Sequence, residues 1–215
     1  MPRTKKRSAG PEKRTEGAFL PTAHGDFTAY AYPQTGDGEA HLALVHGDLH
    51  TDAPVLVRVH SECLTGDALG SLRCDCGPQL QQSLREIGQA TAGVLLYLRQ
   101  EGRGIGLAAK ISAYVLQEGG LDTYDANLAL GFPADGRDYG QAAAMLRDLG
   151  VRQVTLLTNN PEKAAALRAL GVDVVAERAL EIAPSRHNLR YLSAKRQRFG
   201  HRLTLVGPTD ERRAQ

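Results

Sequence analysis

The cysteines constrain this chain more than any other feature. Cys63, Cys74 and Cys76 all fall within residues 58–80, RVHSECLTGDALGSLRCDCGPQL, in the spacing C-x10-C-x-C. His60 and Glu62 stand just upstream. Residues two apart on a helix point away from each other, so a C-x-C pair cannot present both sulfurs from one helix face. A loop must therefore wrap whatever the sulfurs hold. Three thiolates can hold one zinc ion and leave a tetrahedral vertex open. That is the arrangement of a catalytic metal, because water bound there ionises near neutral pH.

The trio has other readings. Free cysteines often serve as small buried hydrophobes, but these are surrounded by Gly66, Asp67, Gly70, Arg73, Asp75 and Gly77. A disulfide would leave one cysteine over, and nothing marks the chain for export. A structural zinc completed by a distant histidine stays open on spacing alone. Thiol chemistry ranks third.

A chain of 215 residues with 42% hydrophobic and 23% charged residues is ordinary for a globular protein. A formal charge of +2 does not suggest a general nucleic-acid binder. Arg3, Lys5, Lys6, Arg7, Lys13 and Arg14 oppose Glu12 alone in the first 14 residues. The expected organisation is a disordered basic tail over residues 1–17, one catalytic domain over 18–203 and a loose tail over 204–215. No apolar run reaches membrane-spanning length and no signal-peptide pattern follows the basic start. A cytoplasmic protein with no membrane partner and no stable nucleic-acid partner is expected.

The fold class reads as α+β or mixed α/β: antiparallel strands first, then strand–helix units, with helices flanking the sheets and the metal loop at a strand end. Residues 27–32, 41–45 and 55–59 read as three antiparallel strands, the last delivering the metal loop. Gly77-Pro78 opens a helix in which Leu80, Leu84 and Ile87 share a face. Residues 94–98 form an apolar run suited to a buried strand. A helix over residues 107–117 ends at Gly119-Gly120. A helix over 139–149, a strand over 154–157, a helix to residue 170 and a strand over 172–175 make a parallel unit. Beyond Glu177 the chain reads as irregular and basic.

Three loops carry further candidates. Gly102, Gly104 and Gly106 separate a strand from a helix N-terminus, where backbone N–H groups can face an anion, although on the glycines alone a plain tight turn is the favoured reading. Glu101 and Arg103 favour a ligand there. Asn160 and Pro161 are explained by helix capping. Lys163, a cation in the first helical turn, is not, and a bound phosphate would account for it. Asp135 and Arg137, with Asp138, lie in a loop that composition alone reads as an exposed turn holding a weak surface pair.

The segments RVHSECLTGDALGSLRCDCGPQL, RQEGRGIGL, ALGFPADGRDYG and LLTNNPEK occur in that order. In this they resemble the GTP cyclohydrolase II family of riboflavin biosynthesis, over about residues 20–179. The resemblance implies a hydrolase that opens the imidazole ring of GTP. It would release formate and pyrophosphate and yield 2,5-diamino-6-ribosylamino-4(3H)-pyrimidinone 5′-phosphate. It implies one catalytic zinc on Cys63, Cys74 and Cys76, magnesium with the triphosphate, and a homodimer. Arg58, Val59, His60, Ser61, Glu62, Gln79, Glu101, Gly102, Arg103, Thr123, Thr158 and Lys163 match the family's GTP-contacting positions. Asp135 matches its proton acceptor, Arg137 its proposed nucleophile, and Tyr114 a tyrosine needed for complete turnover. Gly104 and Pro78 depart from the family's usual residues, and residues 181–201 match loosely. The second synthase to which some members are fused has no room in 215 residues.

The chemistry suits these residues. Arg58, Arg103, Lys163 and magnesium can neutralise a triphosphate, and Tyr114 can donate a proton to the opening ring. Arg137 would have to lose a proton to attack phosphorus, and Asp135 favours its charged form, so electrostatic stabilisation fits better than attack. Glu101 and Gln79 are candidate readers of guanine. Three other readings compete. A zinc deaminase is suggested by His60-Ser61-Glu62 but lacks P-C-x-x-C. A family variant could stop at the formamide. A structural-zinc module could bind nucleotides or RNA.

Overall fold

The computed structural model describes residues 13–34 and 38–207. Its strands form one seven-stranded sheet in the order β1-β2-β3-β5-β4-β6-β7. These are β1 (Ala18–Thr22), β2 (Gly25–Tyr32), β3 (His41–Gly47), β4 (Val55–Ser61), β5 (Ala92–Leu98), β6 (Gln153–Leu157) and β7 (Asp173–Arg178). The β1–β2, β2–β3 and β3–β5 pairings are antiparallel. The β5–β4, β4–β6 and β6–β7 pairings are parallel. Mixed α/β architecture is therefore as expected, with one correction. The strand that delivers the cysteines does not pair with β3. The helix α2 (Cys76–Gly88) carries the chain back across the sheet, so β5 lies parallel to β4 and between it and β3. The apolar run AGVLLYL suits that central place, since all of it but Tyr97 is buried.

Side chains alternate across the sheet. Val57, Val59, Val94 and Leu96 face a core completed by Met145 and Leu146 of α6 (Gly140–Asp148) and Leu167 of α7 (Pro161–Ala169). Leu56 and Leu95 face the other way, onto Ile87 of α2, with Leu80 and Leu84 packed beside it. Arg58 and His60 continue the Leu56 register and are buried near the C-terminal end of β4. The parallel strands β4, β5 and β6 all end at this side, where the loops of open α/β sheets build their sites.

Several elements lie where no signal was read. The short helices α1 (Leu64–Asp67) and α3 (Glu101–Gly104) sit in the loops after β4 and β5. The helix α5 (Thr123–Ala129) is a third such element, whereas α4 (Leu107–Glu118), which follows α3, is the helix expected over residues 107–117. The irregular, basic reading beyond Glu177 is also corrected. β7 runs on to Arg178, and the helix α8 (Leu189–Phe199) follows, closed by Gly200 at a φ of 62°. Its arginines hid an apolar stripe through Leu192 and Phe199.

The expected tails over 1–12 and 208–215 lie outside the described residues. Residues 13–17 and 204–207 are described and make contacts. The Thr15 N–H donates to the Ala31 carbonyl, Arg14 pairs with Asp148, and Val206 is buried against Leu192 and Leu203. Among the described residues no helix is long and apolar enough to cross a membrane.

Candidate active site

Cys63 follows β4 and caps α1, Cys74 lies in the next loop, and Cys76 opens α2. Their sulfurs all lie within 4.8 Å of one another, with Cys63 and Cys74 at 3.6 Å. Sulfurs bound at about 2.3 Å to one tetrahedral ion stand about 3.8 Å apart, so the trio fits a zinc ion. Protons are shared unequally within it. Hydrogen bonds from Cys74 and Cys76, opposed by burial and aided by Lys110, hold Cys63 far below the usual thiol range. The same bonds push Cys74 up to about 11 and Cys76 well above the thiol range. A divalent cation bound among the sulfurs would favour ionisation of all three.

The loop is shaped for this. A Cβ on Gly66 would stand 2.9 Å from the Cys74 sulfur and 3.2 Å from that of Cys63. A Cβ on Gly77 would meet the Gly66 carbonyl oxygen at 2.2 Å, so α1 and α2 approach through bare backbone. Asp67, whose side chain is 5% exposed, secures the turn. It accepts from the Cys63 N–H at 2.9 Å, from the Tyr97 hydroxyl at 2.9 Å, and pairs with His60 Nε2 at 3.0 Å.

A cleft opens beside the sulfurs. Arg58, His60, Ser61, Glu62, Gln79, Glu101, Gly102, Arg103, Tyr114, Thr123, Arg137, Thr158 and Lys163 all line it, together with the cysteines. Val59 and Asp135 do not line it. Val59 is fully buried, and its carbonyl accepts from Lys163 Nζ at 2.6 Å. Asp135 accepts from Arg103 at 2.7 Å and from the Arg137 Nε at 2.9 Å. The Asp135–Arg137 pair is therefore no exposed surface pair: the Arg137 side chain is only 12% exposed. Burial opposes the Arg137 charge, but Asp135 holds the guanidinium above its ordinary range. That favours a fixed cation over a nucleophile.

The candidate guanine readers are already engaged. Glu101 accepts from Lys110 Nζ at 2.7 Å, from the Gly102 N–H at 2.7 Å and from the Leu64 N–H at 2.6 Å. Gln79 accepts from Arg58 at 2.7 Å and donates to Asp75 at 2.7 Å. Both frame the cleft. His60 Nδ1, Ser61 Oγ and Arg58 Nε, on residues of the same wall, are buried and have no hydrogen-bond partner among the described residues. Tyr114 reaches the metal loop through its hydroxyl, 3.2 Å from Thr65 Oγ1, and the Arg73 guanidinium covers its ring at 4.6 Å. Arg103 is the one described non-glycine residue at positive φ, 62°. Its carbonyl accepts from the Gly136 N–H at 3.0 Å, so the Gly102–Gly106 turn and the Asp135 loop lock together.

Sequence reasoning missed Lys110, Tyr191, Lys195 and His201, which also line the cleft. Lys110 lies among Leu107, Ala108, Ala109 and Ile111 and reads as the solvated face of a helix. In the structure it is buried, with Nζ 3.1 Å from the Cys63 sulfur. Burial and nearby cations push His201 down to about 2.

Comparison with known proteins bears on this geometry. A sequence model described as GTP cyclohydrolase II matches residues 12–179. Three curated relatives bear the name riboflavin biosynthesis protein RibBA. The one from Cytophaga hutchinsonii is 52% identical over 89% of this chain and 47% of its own length. The one from Salinispora arenicola is 56% identical over 86% and 44%, and the one from Bacillus cytotoxicus 54% identical over 86% and 47%. The chain thus spans about half the length of the curated relatives it matches. A solved structure titled RibBX, a two domain 3,4-dihydroxy-2-butanone 4-phosphate synthase from A. baumannii, is 24% identical, with a TM-score of 0.41 over 79% of this chain and 40% of that one. That likeness is too slight to bear on function.

Proposed function

The chain belongs to the GTP cyclohydrolase II family of riboflavin biosynthesis, and from that premise we propose that it hydrolyses GTP to formate, pyrophosphate and 2,5-diamino-6-ribosylamino-4(3H)-pyrimidinone 5′-phosphate. The observation that carries the proposal is the sulfur trio opening onto a cleft lined by Arg58, Arg103, Arg137 and Lys163. Sulfur donors for a metal and cations for a polyphosphate meet at one wall. Cys63, Cys74 and Cys76 would hold zinc, which supplies a hydroxide nucleophile at neutral pH when bound.

The remaining work falls to the chain. The cations bind and orient the triphosphate, each charge-assisted contact being stronger than a neutral hydrogen bond. Arg103 and Arg137, tied through Asp135, stabilise charge as pyrophosphate leaves. Tyr114, whose proton burial retains, is the candidate donor to the opening ring. Ser61, His60 and Arg58 line the cleft where the substrate would sit, each with a polar atom left unpartnered among the described residues. The same reading takes in magnesium with the triphosphate, one catalytic unit over residues 18–203, a homodimer and a cytoplasmic setting.

The test is incubation of zinc-loaded protein with GTP and magnesium, followed by assays of formate and pyrophosphate. Both products in equal amounts are expected. Zinc-loaded, folded protein that releases neither refutes the proposal, and pyrophosphate without formate identifies a variant that stops at the formamide.

A further inference from the structure

The helix α8 lies beyond the residues matched by the family and reaches the metal loop nonetheless. Lys195 Nζ stands 2.6 Å from Asp75 Oδ1, and the side chains are 9% and 1% exposed. Asp75 is the residue between Cys74 and Cys76. Its other oxygen accepts from Gln79 Nε2 at 2.7 Å, and Gln79 Oε1 accepts from Arg58 at 2.7 Å. Arg58 ends the chain by donating to the Leu157 carbonyl at 3.0 Å. One buried polar relay therefore runs from α8, past the paired cysteines, to the cationic wall of the cleft.

A second contact points the same way. The Arg103 guanidinium stacks on the Phe199 ring at 3.7 Å. Beyond α8, the Arg202 N–H donates to the Asn159 carbonyl at 2.8 Å, on the loop that also carries Thr158. A helix held only by packing would leave its lysine at the surface, where the Arg198 side chain of α8 is 39% exposed and pairs with Asp125. Burying an ammonium is costly without a partner, and removing one partner of a buried pair costs far more than an exposed pair contributes.

We propose that Lys195 is a positioning residue: by fixing Asp75 it sets the turn between Cys74 and Cys76 and the Gln79–Arg58 arm, so that metal corner and cleft are complete only with α8 docked. This rests on the function proposed above.

The test uses the full zinc-loaded chain. Lys195→Met is expected to speed zinc release to an excess of chelator by about 10- to 100-fold, the range seen when a partner of a metal ligand's support is removed. The turnover number for formate should fall by a similar factor while KM for GTP changes little. Lys195→Arg should recover most of both. Asp75→Asn should match Lys195→Met, and the double variant should be no worse than either alone, because one relay is being cut twice. If Lys195→Met does not fold, Asp75→Asn, which keeps the side-chain volume, carries the comparison. Unchanged zinc release overturns the proposal, and if KM then rises, Lys195 is a direct ligand of GTP. Wild-type protein that releases no formate fails the proposed function, while the zinc-release comparison still stands or falls alone.

Discussion

The ammonium of Lys110 lies 3.1 Å from the sulfur of Cys63. It also pairs with Glu101 at 2.7 Å, and both charged side chains are about nine-tenths buried. Burial opposes the Lys110 charge, but Glu101 and Cys63 hold it above lysine's ordinary range. Lys110→Met would leave the Glu101 carboxylate buried beside a thiolate with backbone N–H partners alone. A loss of about 3 kcal/mol is expected, at the low end for a broken buried pair because those N–H bonds remain. Denaturant unfolding of the zinc-loaded protein measures it. The double change with Glu101→Gln should recover part of the loss, and a midpoint unmoved by Lys110→Met would show that the pair contributes nothing.

Gly66 and Gly77 should respond oppositely to ordinary helix propensity. Gly to Ala within a helix normally stabilises by about 1 kcal/mol. Here Gly77→Ala places a methyl against the Gly66 carbonyl oxygen, backbone that cannot step aside, and α1 and α2 must part. Gly66→Ala pushes on the sulfurs themselves. Metal content after purification in limiting zinc should fall at least about 10-fold for Gly66→Ala, the scale of lost metal-site support. Gly77→Ala should also melt lower than wild type. Full zinc content in Gly66→Ala would mean that the sulfurs have room to spare.

The motifs were legible because each is local. Cysteine spacing, the Asn160-Pro161 cap and the apolar run of β5 state their geometry within a few residues. Asn160 does accept from the Glu162 N–H, at 3.1 Å. What the sequence hid is pairing across distance. Nothing near residue 55 says that β5 will insert beside β4, because that depends on where α2 returns the chain. The lysines at 110 and 195 look solvated from their neighbours and become buried only when Glu101 and Asp75 arrive from 9 and 120 positions away. The closing basic stretch looked irregular for the same reason: Leu192, Leu203 and Val206 meet only after folding.

Asp135 joins Arg103 to Arg137, so its loss should be felt in both acid stability and turnover. Burial raises its pKa, but bonds from Arg137 and the charge of Arg103 win, and it rests below the usual aspartate value. A depressed carboxylate stabilises the fold above its unfolded pKa, about 3.9, and that stability is lost as pH falls through the folded value. Asp135→Asn should therefore be less stable than wild type at neutral pH, by about 2 kcal/mol for a lost charged hydrogen bond. The two proteins should converge as pH falls through the lowered folded value. Unfolding curves across that range decide it, and a constant gap down to the acid limit would place the stabilisation elsewhere.

Lys163 makes the sharpest prediction about substrate. Burial first, then the charges of Arg58, Arg137 and Lys195, push its ammonium well below lysine's ordinary range, with Asp135 the acid opposing them. Its Nζ donates to the Val59 carbonyl and faces the cleft. A polyphosphate entering the cleft supplies the missing negative charge and favours the protonated amine. Binding must then take up a proton, and affinity must weaken as pH rises from the lowered free value towards the restored bound one. Calorimetry with magnesium and a non-hydrolysable GTP analogue at about pH 8, where phosphates are fully ionised, reads the uptake from the slope of enthalpy against buffer ionisation enthalpy. Lys163→Met should flatten that slope and weaken binding by about 10- to 100-fold, or about 1.4–2.8 kcal/mol. A wild-type enthalpy independent of buffer would mean that Lys163 is already charged before the phosphates arrive.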